Sequence, residues 1–227
     1  MRLQADTTLL VTGGCGFIGT NLIRHLLDSR PRCRVINLDC LSYAGNPNNL
    51  ADLEENKNYV FVKCDIAKFS DVESVFQRYS PAAVINCAAE SHVDRSLNDC
   101  KAFVTTNVLG TQVLLELARN QGCRLVQIST DEVYGSLGPA GKFSEDTPLS
   151  PNSPYAATKA AADLMALAAF NSFGQDVVIT RSSNNYGPYQ YPEKLIPLMI
   201  TNAIDSCRLP IYGQGSNVRD WIHVSDH

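Results

Sequence analysis

Two stretches of this 227-residue sequence combine residue types that can move protons. Tyr155 and Lys159 are four residues apart, so a helix would place the phenol and the ammonium on one face. A tyrosine has a pKa of about 10 in water and needs neighbouring positive charge to act as a base at neutral pH. Lys159 can supply that charge. The pair therefore predicts general base chemistry by Tyr155.

The second stretch is the acidic pair Asp131 and Glu132, which follows Thr130 at the end of a β-branched run. Because α/β sheets hold their ligands at the carboxyl ends of strands, Thr130 is placed to hydrogen-bond a substrate hydroxyl that Tyr155 deprotonates. Two adjacent carboxyls repel each other, which separates their pKa values and suits one acid and one base. A solvated turn is the alternative for any acidic pair, and the residues alone leave it open.

Three glycines, Gly13, Gly16 and Gly19, lie between the first predicted strand and the first predicted helix. Such a turn lets the backbone approach a pyrophosphate at a helix N-terminus. Asp39 ends the second predicted strand, where its carboxylate can bind both ribose hydroxyls and would repel a 2′-phosphate. The pattern predicts NAD as the cofactor, and its positive nicotinamide ring would be a second neighbour that lowers the pKa of Tyr155.

The glycine pattern by itself is weak evidence, since any turn that needs a positive φ favours glycine. The strand before it and the helix after it supply the context that the motif requires. Asp65, at the end of the third predicted strand, is either an adenine contact or a helix N-cap. The other predicted NAD contacts are Phe17, Ile18, Ile66, Ala88, Tyr155 and Lys159.

Short β-branched runs alternate with longer amphipathic segments along the chain. The predicted strands are Thr8–Thr12, Arg34–Asp39, Tyr59–Asp65, Ala82–Ala88, Arg124–Thr130 and Asp176–Ser182. The predicted helices are Phe17–Asp28, Ser70–Tyr79, Asp99–Asn120 and Pro154–Phe173. Near-continuous apolar strands separated by helices predict an α/β fold with a doubly wound parallel sheet, the Rossmann arrangement.

The residue pattern changes after Ser182, where asparagine, glycine and proline interrupt the alternation of predicted strands and helices. We therefore predict an NAD-binding Rossmann domain over residues 1–183 and the start of a substrate-binding region over residues 184–227. Residues 219–227 resemble a strand running into a helix N-cap, so we expect the second region to be incomplete.

The composition argues against several classes of protein. Hydrophobic residues make up 44% of the chain, charged residues 19%, and the net charge is −4. This balance predicts no nucleic-acid partner, and no basic run or long apolar stretch indicates a membrane. The eight cysteines are scattered without a CxxC pair, which predicts no metal site and small buried side chains in the reducing cytoplasm.

Seven segments, spread along nearly the whole chain, carry a resemblance to a known family. They are Gly13–Gly19, Ala88–Ser96, Ser129–Gly135, Tyr155–Lys159, Arg181–Tyr189, Tyr191–Pro197 and Arg219–Trp221. In this order they look like the dTDP-glucose 4,6-dehydratases, which are extended short-chain dehydrogenases/reductases of the nucleotide-sugar branch. The triplet from Thr130 to Glu132 is the most specific of these elements.

The resemblance implies an NAD-dependent lyase that converts a nucleotide-linked glucose to its 4-keto-6-deoxy form. Tyr155 would be the base when C4 is oxidised, and hydride would return to C6 at the end. Between these steps Glu132 would remove the C5 proton while Asp131 protonates the departing C6 hydroxyl. The family's nucleotide-sugar site would correspond here to Ser91, Thr130, Asn184, Glu193, Lys194, Leu195, Pro210, Tyr212 and Arg219.

Relatives commonly form homodimers, and the helices predicted at Asp99–Asn120 and Pro154–Phe173 could supply the faces, although such faces equally suit a domain core. Two residues depart from the family pattern, Cys40 where Lys is frequent and Cys15 where Ala is common. A nucleotide-sugar 4-epimerase would share the fold, NAD, Tyr155 and Lys159 without needing an acid pair. An inactive NAD-binding fragment is the remaining alternative, and the sequence does not distinguish a dTDP-sugar from a UDP-sugar.

Overall fold

The computed structural model describes residues 6–138, 140–211 and 213–227. Six strands form one parallel sheet in the order β3-β2-β1-β4-β5-β6. They are β1 (Thr8–Thr12), β2 (Arg34–Asp39), β3 (Tyr59–Lys63), β4 (Ala83–Asn86), β5 (Arg124–Thr130) and β6 (Val177–Ser182). The order reverses between β1 and β4, and a crevice opens at such a switch point. The predicted doubly wound parallel sheet is confirmed.

The helices cover both faces of this sheet. They are α1 (Phe17–Ser29), α2 (Phe69–Tyr79), α3 (Val93–Asn98), α4 (Lys101–Phe103), α5 (Thr111–Gln121), α6 (Pro154–Phe173) and α7 (Leu195–Ile204). A π-helical segment, Val104–Gly110, joins α4 to α5, and 3-10 turns lie at Pro47–Leu53 and Asp131–Tyr134. Within the described residues no helix has the length and apolar character needed to cross a membrane.

Two apolar clusters hold the layers together. On one face α1 packs its buried residues, such as Ile23 and Leu27, against Leu9 and Val35 of the sheet. On the other face α2 and α5 pack against the opposite side chains of the same strands. Strand residues point alternately to the two faces, so the near-continuous apolar runs in the sequence supply both clusters.

Several predicted boundaries moved by a few residues. The strand predicted at Tyr59–Asp65 ends at Lys63, and the one predicted at Ala82–Ala88 is Ala83–Asn86. The helix predicted at Asp99–Asn120 begins at Lys101 and contains the π segment. Short elements such as α3 were not predicted, because one or two turns carry too little periodicity to be recognised.

Residues after Ser182 leave the main sheet. Asn184–Tyr186 (β7) pairs in parallel with Trp221–His223 (β8), and α7 lies between them in sequence. α7 has no buried residue among those described. The division into residues 1–183 and 184–227 remains a proposal.

The cysteines are less uniform than predicted. Cys15, Cys33, Cys64 and Cys123 are buried, as expected for small apolar side chains, and Cys87 is half-buried. The other three are exposed, which corrects the prediction of buried thiols for Cys40, Cys100 and Cys207. Each exposed cysteine lies in a loop or at a helix start rather than inside a strand.

Beneath the switch point lies a buried polar network centred on Asn86 of β4. Thr12 Oγ1 donates to Asn86 Oδ1 at 2.6 Å, and Asn86 Nδ2 donates to Gln127 Oε1 at 2.8 Å. These three residues on adjacent strands are fully buried. Buried polar groups need such partners because water cannot reach them. The network therefore fixes how β1, β4 and β5 align under the crevice.

Replacing Asn86 with alanine should lower the free energy of unfolding by about 3 kcal/mol, because the Thr12 hydroxyl and the Gln127 carbonyl lose their buried partner. Urea unfolding followed by circular dichroism measures the change. The control is Asn98→Ala, which removes one exposed hydrogen bond from the Asn98 side chain to the Asp94 backbone carbonyl. It should change stability by under about 0.5 kcal/mol. Equal effects of the two changes would contradict a structural role for the network.

Candidate active site

A cleft of about 300 Å³ opens at the carboxyl ends of β1, β2, β4, β5 and β6. Sixteen of the residues predicted from the sequence line it. They are Gly13, Gly16, Phe17, Ile18, Gly19, Asp39, Asp65, Ile66, Ala88, Ser91, Thr130, Glu132, Tyr155, Lys159, Asn184 and Lys194. The glycine turn, the tyrosine–lysine pair and one member of the acid pair therefore share a single cleft.

The glycine turn is built so that two of its glycines cannot be replaced without displacing backbone. Gly13 has φ +66°, and a Cβ there would lie 2.7 Å from the backbone of Ala88. A Cβ on Gly19 would overlap the carbonyl oxygen of Gly13. A Cβ on Gly16 would meet only that same oxygen, at 3.3 Å. Gly16 is therefore less constrained by the fold and leaves open space at the mouth of the turn.

α1 begins immediately after this turn, with Gly16 as its N-cap and no side chain capping it among the described residues. Its first backbone N–H groups therefore lack side-chain partners. A helix N-terminus of this kind attracts anions through those N–H groups and the helix dipole. The cradle has the chemistry that a pyrophosphate requires.

Asp39 organises the same turn from the end of β2. Its Oδ2 accepts a hydrogen bond from the Cys15 backbone at 2.9 Å, and its Oδ1 accepts one from the Leu41 backbone at 2.8 Å. Burial raises the pKa of Asp39, and these two hydrogen bonds oppose that rise. Each carboxylate oxygen has a second lone pair that can accept from a ribose hydroxyl. Cys15, a departure from the family pattern, is thus part of the turn through its backbone.

Asp65 lies beside Ile66 in the wall of the cleft. Its Oδ1 accepts a hydrogen bond from the Ala67 backbone at 3.0 Å. The N-cap of α2 is Lys68, so Asp65 does not cap that helix. Of the two interpretations of Asp65, the structure excludes the N-cap, and the ligand contact remains a proposal.

α6 positions Tyr155 and Lys159. Ser153 caps the helix by accepting from the Ala156 backbone at 3.1 Å, and Pro154 occupies the first turn. Both Tyr155 and Lys159 are buried, at 9% and 4% exposure. Lys159 Nζ donates to the Ile128 carbonyl at 2.6 Å, which ties the helix to β5. Burial lowers the pKa of Lys159 to about 8.

The protein groups around Tyr155 raise its pKa, and the expected lowering with NAD bound stays a prediction. Burial raises its pKa, and the nearby charges of Glu132 and Asp131 raise it further. A hydrogen bond with Thr130 acts in the opposite direction. Positive charge near the phenol is therefore needed for Tyr155 to act as a base.

The acid pair is held by its own turn. Thr130 caps the 3-10 turn Asp131–Tyr134 by accepting from the Glu132 backbone at 3.3 Å, and its hydroxyl donates to Asp131 Oδ1 at 3.3 Å. Both carboxyls are half-buried, and their charges influence Tyr155. Glu132 lines the cleft, whereas Asp131 is absent from its lining. The half-burial of both carboxyls argues against a fully solvated turn, and their role stays a prediction.

Burial raises the pKa of both acids. The charge of Asp131 raises the pKa of Glu132 further. The hydrogen bond with Thr130 lowers that of Asp131, and Arg219 lowers both. Two carboxyls with different surroundings are the condition for one acid and one base.

Four described residues predicted for the nucleotide-sugar site do not line the cleft. Glu193 instead contacts His92 at 3.4 Å and Arg95 at 3.6 Å. Leu195 and Pro210 lie outside the lining, and Arg219 is exposed although its charge reaches the acid pair. Tyr212 lies outside the described residues. By contrast, Lys194 Nζ donates to the Ser91 carbonyl at 3.2 Å, so those two predicted residues are joined.

The sequence reasoning missed the loop after β2. Cys40, Ser42, Tyr43, Ala44 and Gly45 line the cleft next to Asp39. The Arg95 guanidinium lies 3.9 Å from the centre of the Tyr43 ring. The position of this loop at the carboxyl end of a strand was the available signal.

The glycine turn, Tyr155, Lys159 and Glu132 line one cleft, and comparison with known proteins gives the family. The sequence profile of the GDP-mannose 4,6 dehydratase family matches residues 10–227. The chain is 51% identical over 230 residues to the dTDP-glucose 4,6-dehydratase of Xanthomonas campestris pv. campestris (strain B100), covering 97% of this chain and 65% of that protein. The chain belongs to this family of nucleotide-sugar dehydratases, which confirms the resemblance.

Solved structures agree with this placement. The dTDP-glucose 4,6-dehydratase DesIV from Streptomyces venezuelae, solved with NAD bound, has a TM-score of 0.93 and 50% identity over 97% of this chain and 69% of its own. The UDP-glucose 4-epimerase of Thermus thermophilus has a TM-score of 0.87 and 32% identity over 97% of this chain and 71% of its own. The chain spans about two thirds of the length of these relatives.

The variant Lys159→Met tests how much the burial of the Lys159 ammonium lowers the free energy of unfolding. Burial lowers the pKa of Lys159 from 10.5 to about 8, so between these values the unfolded chain holds a proton that the folded chain has released. The penalty on folding is complete below pH 8 and disappears as the pH approaches 10.5. The free energy of unfolding of the wild type, relative to Lys159→Met, should therefore rise by about 3 kcal/mol across this window.

Urea unfolding at several pH values measures this difference, and the subtraction cancels groups that both proteins share. Lys63→Met, at an exposed position at the end of β3, is the matched control. A wild-type-minus-variant difference that stays constant with pH would mean that the ammonium is hydrated in the folded protein.

Proposed function

We propose that this protein is an NAD-dependent lyase that dehydrates a nucleotide-diphospho-glucose to its 4-keto-6-deoxy form. The observation that carries the proposal is that Thr130, Glu132, Tyr155 and Lys159 meet the glycine turn in one cleft. The similarity to dTDP-glucose 4,6-dehydratases at about half identity supports the same reaction.

The cleft fits NAD. The open N-terminus of α1 would hold the pyrophosphate, and the free lone pairs of Asp39 would accept from the adenosine ribose. Asp65 and Ile66 would border the adenine, while Lys159 would contact the nicotinamide half. The relative DesIV was solved with NAD bound. When bound, NAD supplies the hydride acceptor for C4 and later the donor for C6.

Tyr155 is the proposed base for the C4 hydroxyl, with Thr130 donating or accepting a hydrogen bond to the same hydroxyl. Because burial and the two carboxylates keep the pKa of Tyr155 high, the phenolate needs positive charge brought with the ligand. Lys159, held on the Ile128 carbonyl through one of its protons, has two more protons to share.

Once C4 is a ketone, the proton on C5 is acidic. Glu132 would accept that proton, and Asp131 would donate a proton to the C6 hydroxyl, which leaves as water. Burial raises the pKa of both acids, and the charge of Asp131 raises that of Glu132 further. The proposal requires the pair to hold one proton, on Asp131, when elimination begins, as two coupled carboxyls can. As hydride returns to C6, Glu132 would give its proton back to C5, and the proton that Tyr155 took from the C4 hydroxyl would restore the one that Asp131 gave to the leaving water. The net loss is therefore one water molecule.

A 4-epimerase of the same fold is the alternative. It would use Tyr155 and Lys159 but would need no acid pair beside the hexose. The half-buried placement of Asp131 and Glu132 next to Tyr155 favours dehydration. The identity of about 50% to dehydratases, against 32% to a 4-epimerase, supports the same choice.

The substrate would enter beside Ser91, Asn184 and Lys194, which line the cleft. Glu193, Leu195, Pro210, Tyr212 and Arg219 remain proposed nucleotide-sugar contacts, as does the boundary between residues 1–183 and 184–227. The named relatives act on dTDP-glucose, which makes it the first substrate to test. Eight cysteines without a disulfide suit a reducing compartment, so we propose a cytoplasmic location.

We further propose a homodimer through α5 and α6. The outer face of α6 exposes Leu164, Leu167, Phe170 and Phe173, at 42–62% of their surface. A shallow groove beside them is lined from both helices. A contiguous apolar face of this kind suits a two-fold contact, in which the same patch on each copy meets its partner.

Glu132→Gln should stop the reaction after oxidation, because an amide cannot accept the C5 proton. Incubation of the purified protein with NAD and dTDP-glucose should then give reduced cofactor that stays bound and no 4-keto-6-deoxy product, with turnover down at least about a hundredfold. Cofactor absorbance and product chromatography measure both quantities. Parallel reactions with UDP-glucose identify the nucleotide.

The control for this test is Glu145→Gln, an exposed carboxylate in the loop between β5 and α6. Full turnover by Glu132→Gln would remove Glu132 from the mechanism. A C4-inverted sugar as the wild-type product would replace dehydration with epimerisation. NAD binding with no chemistry on either sugar would favour the inactive fragment.

Leu164→Glu should convert the dimer to a monomer, since a carboxylate at the centre of an apolar contact would be buried without a partner. Light scattering coupled to size exclusion gives the mass. The matched control is Ile204→Glu on α7, which is 76% exposed and lies away from α5 and α6. A monomeric wild type would contradict the proposed dimer.

A further inference from the structure

The proposed mechanism leaves one fully buried carboxylate without a task. Asp163 lies four residues after Lys159 on α6, continuing the row that begins with Tyr155. Its exposure is 0%. Arg181, on the neighbouring strand β6, donates from Nε to Asp163 Oδ2 at 2.8 Å.

Arg181 makes a second contact that reaches the acid pair. Its Nη1 donates to the Tyr134 hydroxyl at 2.8 Å, and its guanidinium lies 5.1 Å from the centre of the Tyr134 ring. Tyr134 is the last residue of the 3-10 turn that begins with Asp131. Phe143 also stacks on this ring, with 5.1 Å between the ring centres, so both Arg181 and Phe143 hold it.

These three residues form a continuous bridge, which we name the Tyr134–Arg181–Asp163 clamp. One end lies on the helix that carries Tyr155 and Lys159, and the other end lies on the turn that carries Asp131 and Glu132. A buried ion pair adds little stability compared with apolar residues of the same volume. The planar guanidinium of Arg181 donates to Asp163 and to Tyr134 at the same time, which fixes a geometry that apolar packing would not.

We propose that the Tyr134–Arg181–Asp163 clamp positions the acid pair relative to Tyr155 so that elimination can follow oxidation at the adjacent carbon. None of the three residues lines the cleft, so they are positioning residues. The inference rests on the proposed function and extends it to a second layer of side chains.

The clamp should matter more for elimination than for oxidation. Oxidation at C4 needs Tyr155, which α6 holds through its own cap and through the Lys159 bond to β5. Elimination needs Glu132 and Asp131 at C5 and C6, and their turn is tied to α6 through Tyr134. A small displacement of a catalytic group is enough to slow a reaction by about a hundredfold.

Tyr134→Phe is the sharpest test, because it keeps the ring between Phe143 and Arg181 and removes only the hydroxyl. With the intact protein, NAD and dTDP-glucose in a single turnover, formation of the reduced cofactor reports oxidation and its disappearance reports elimination and hydride return. We expect formation to stay within about twofold of the wild type and disappearance to slow by about tenfold.

Tyr79→Phe is the matched control. Tyr79 also lies under an arginine, Arg34, at 5.4 Å, but at the amino ends of the strands. It should leave both phases unchanged. Arg181→Lys, which keeps the charge and loses the planar fork, should slow the same phase as Tyr134→Phe. The double variant should be no slower than Arg181→Lys alone, since both changes break the same Arg181–Tyr134 hydrogen bond.

Equal slowing of both phases by Tyr134→Phe, or no slowing of either, would overturn the positioning role. Additive effects in the double variant would also overturn it, because the residues would then act separately. A wild type that forms no reduced cofactor and no keto sugar would defeat the proposed function, and this inference with it. Turnover by the wild type with an unchanged Tyr134→Phe would defeat this inference alone.

Discussion

The site depends on the hydrogen bond from the buried ammonium of Lys159 to the backbone carbonyl of Ile128. A charge with 4% exposure must be met by protein acceptors, and the Ile128 carbonyl at 2.6 Å is one that the structure provides. This hydrogen bond fixes the position of α6 along β5. Tyr155, one turn earlier on α6, is thereby placed beside Thr130 at the end of that strand.

The charges around Tyr155 have a functional consequence. Burial and the charges of Glu132 and Asp131 raise the pKa of the phenol, and the hydrogen bond with Thr130 opposes that rise. In the proposed reaction, the positive nicotinamide ring would add a further charge that favours the phenolate.

Local sequence signals predicted the long elements well. β1, β2, β5 and α6 begin and end where predicted, because alternating β-branched residues, the Ser153 cap and Pro154 act over short distances. The π segment Val104–Gly110 was not predictable in this way. Asn107 within it hydrogen-bonds the backbone of Glu90 and the Thr158 hydroxyl, partners that only the folded chain brings near.

By itself the sequence determined the class of fold and the residues that we propose for the chemistry, since turn glycines, the Tyr155–Lys159 spacing and the acid pair are local patterns. The tertiary structure alone decided that Glu193 pairs with Arg95, that the protein groups raise the pKa of Tyr155, and that Arg181 links Asp163 to Tyr134. The reason is physical. A pKa or an ion pair depends on distances between groups far apart in the chain and on the loss of water around them, and neither is encoded in spacing.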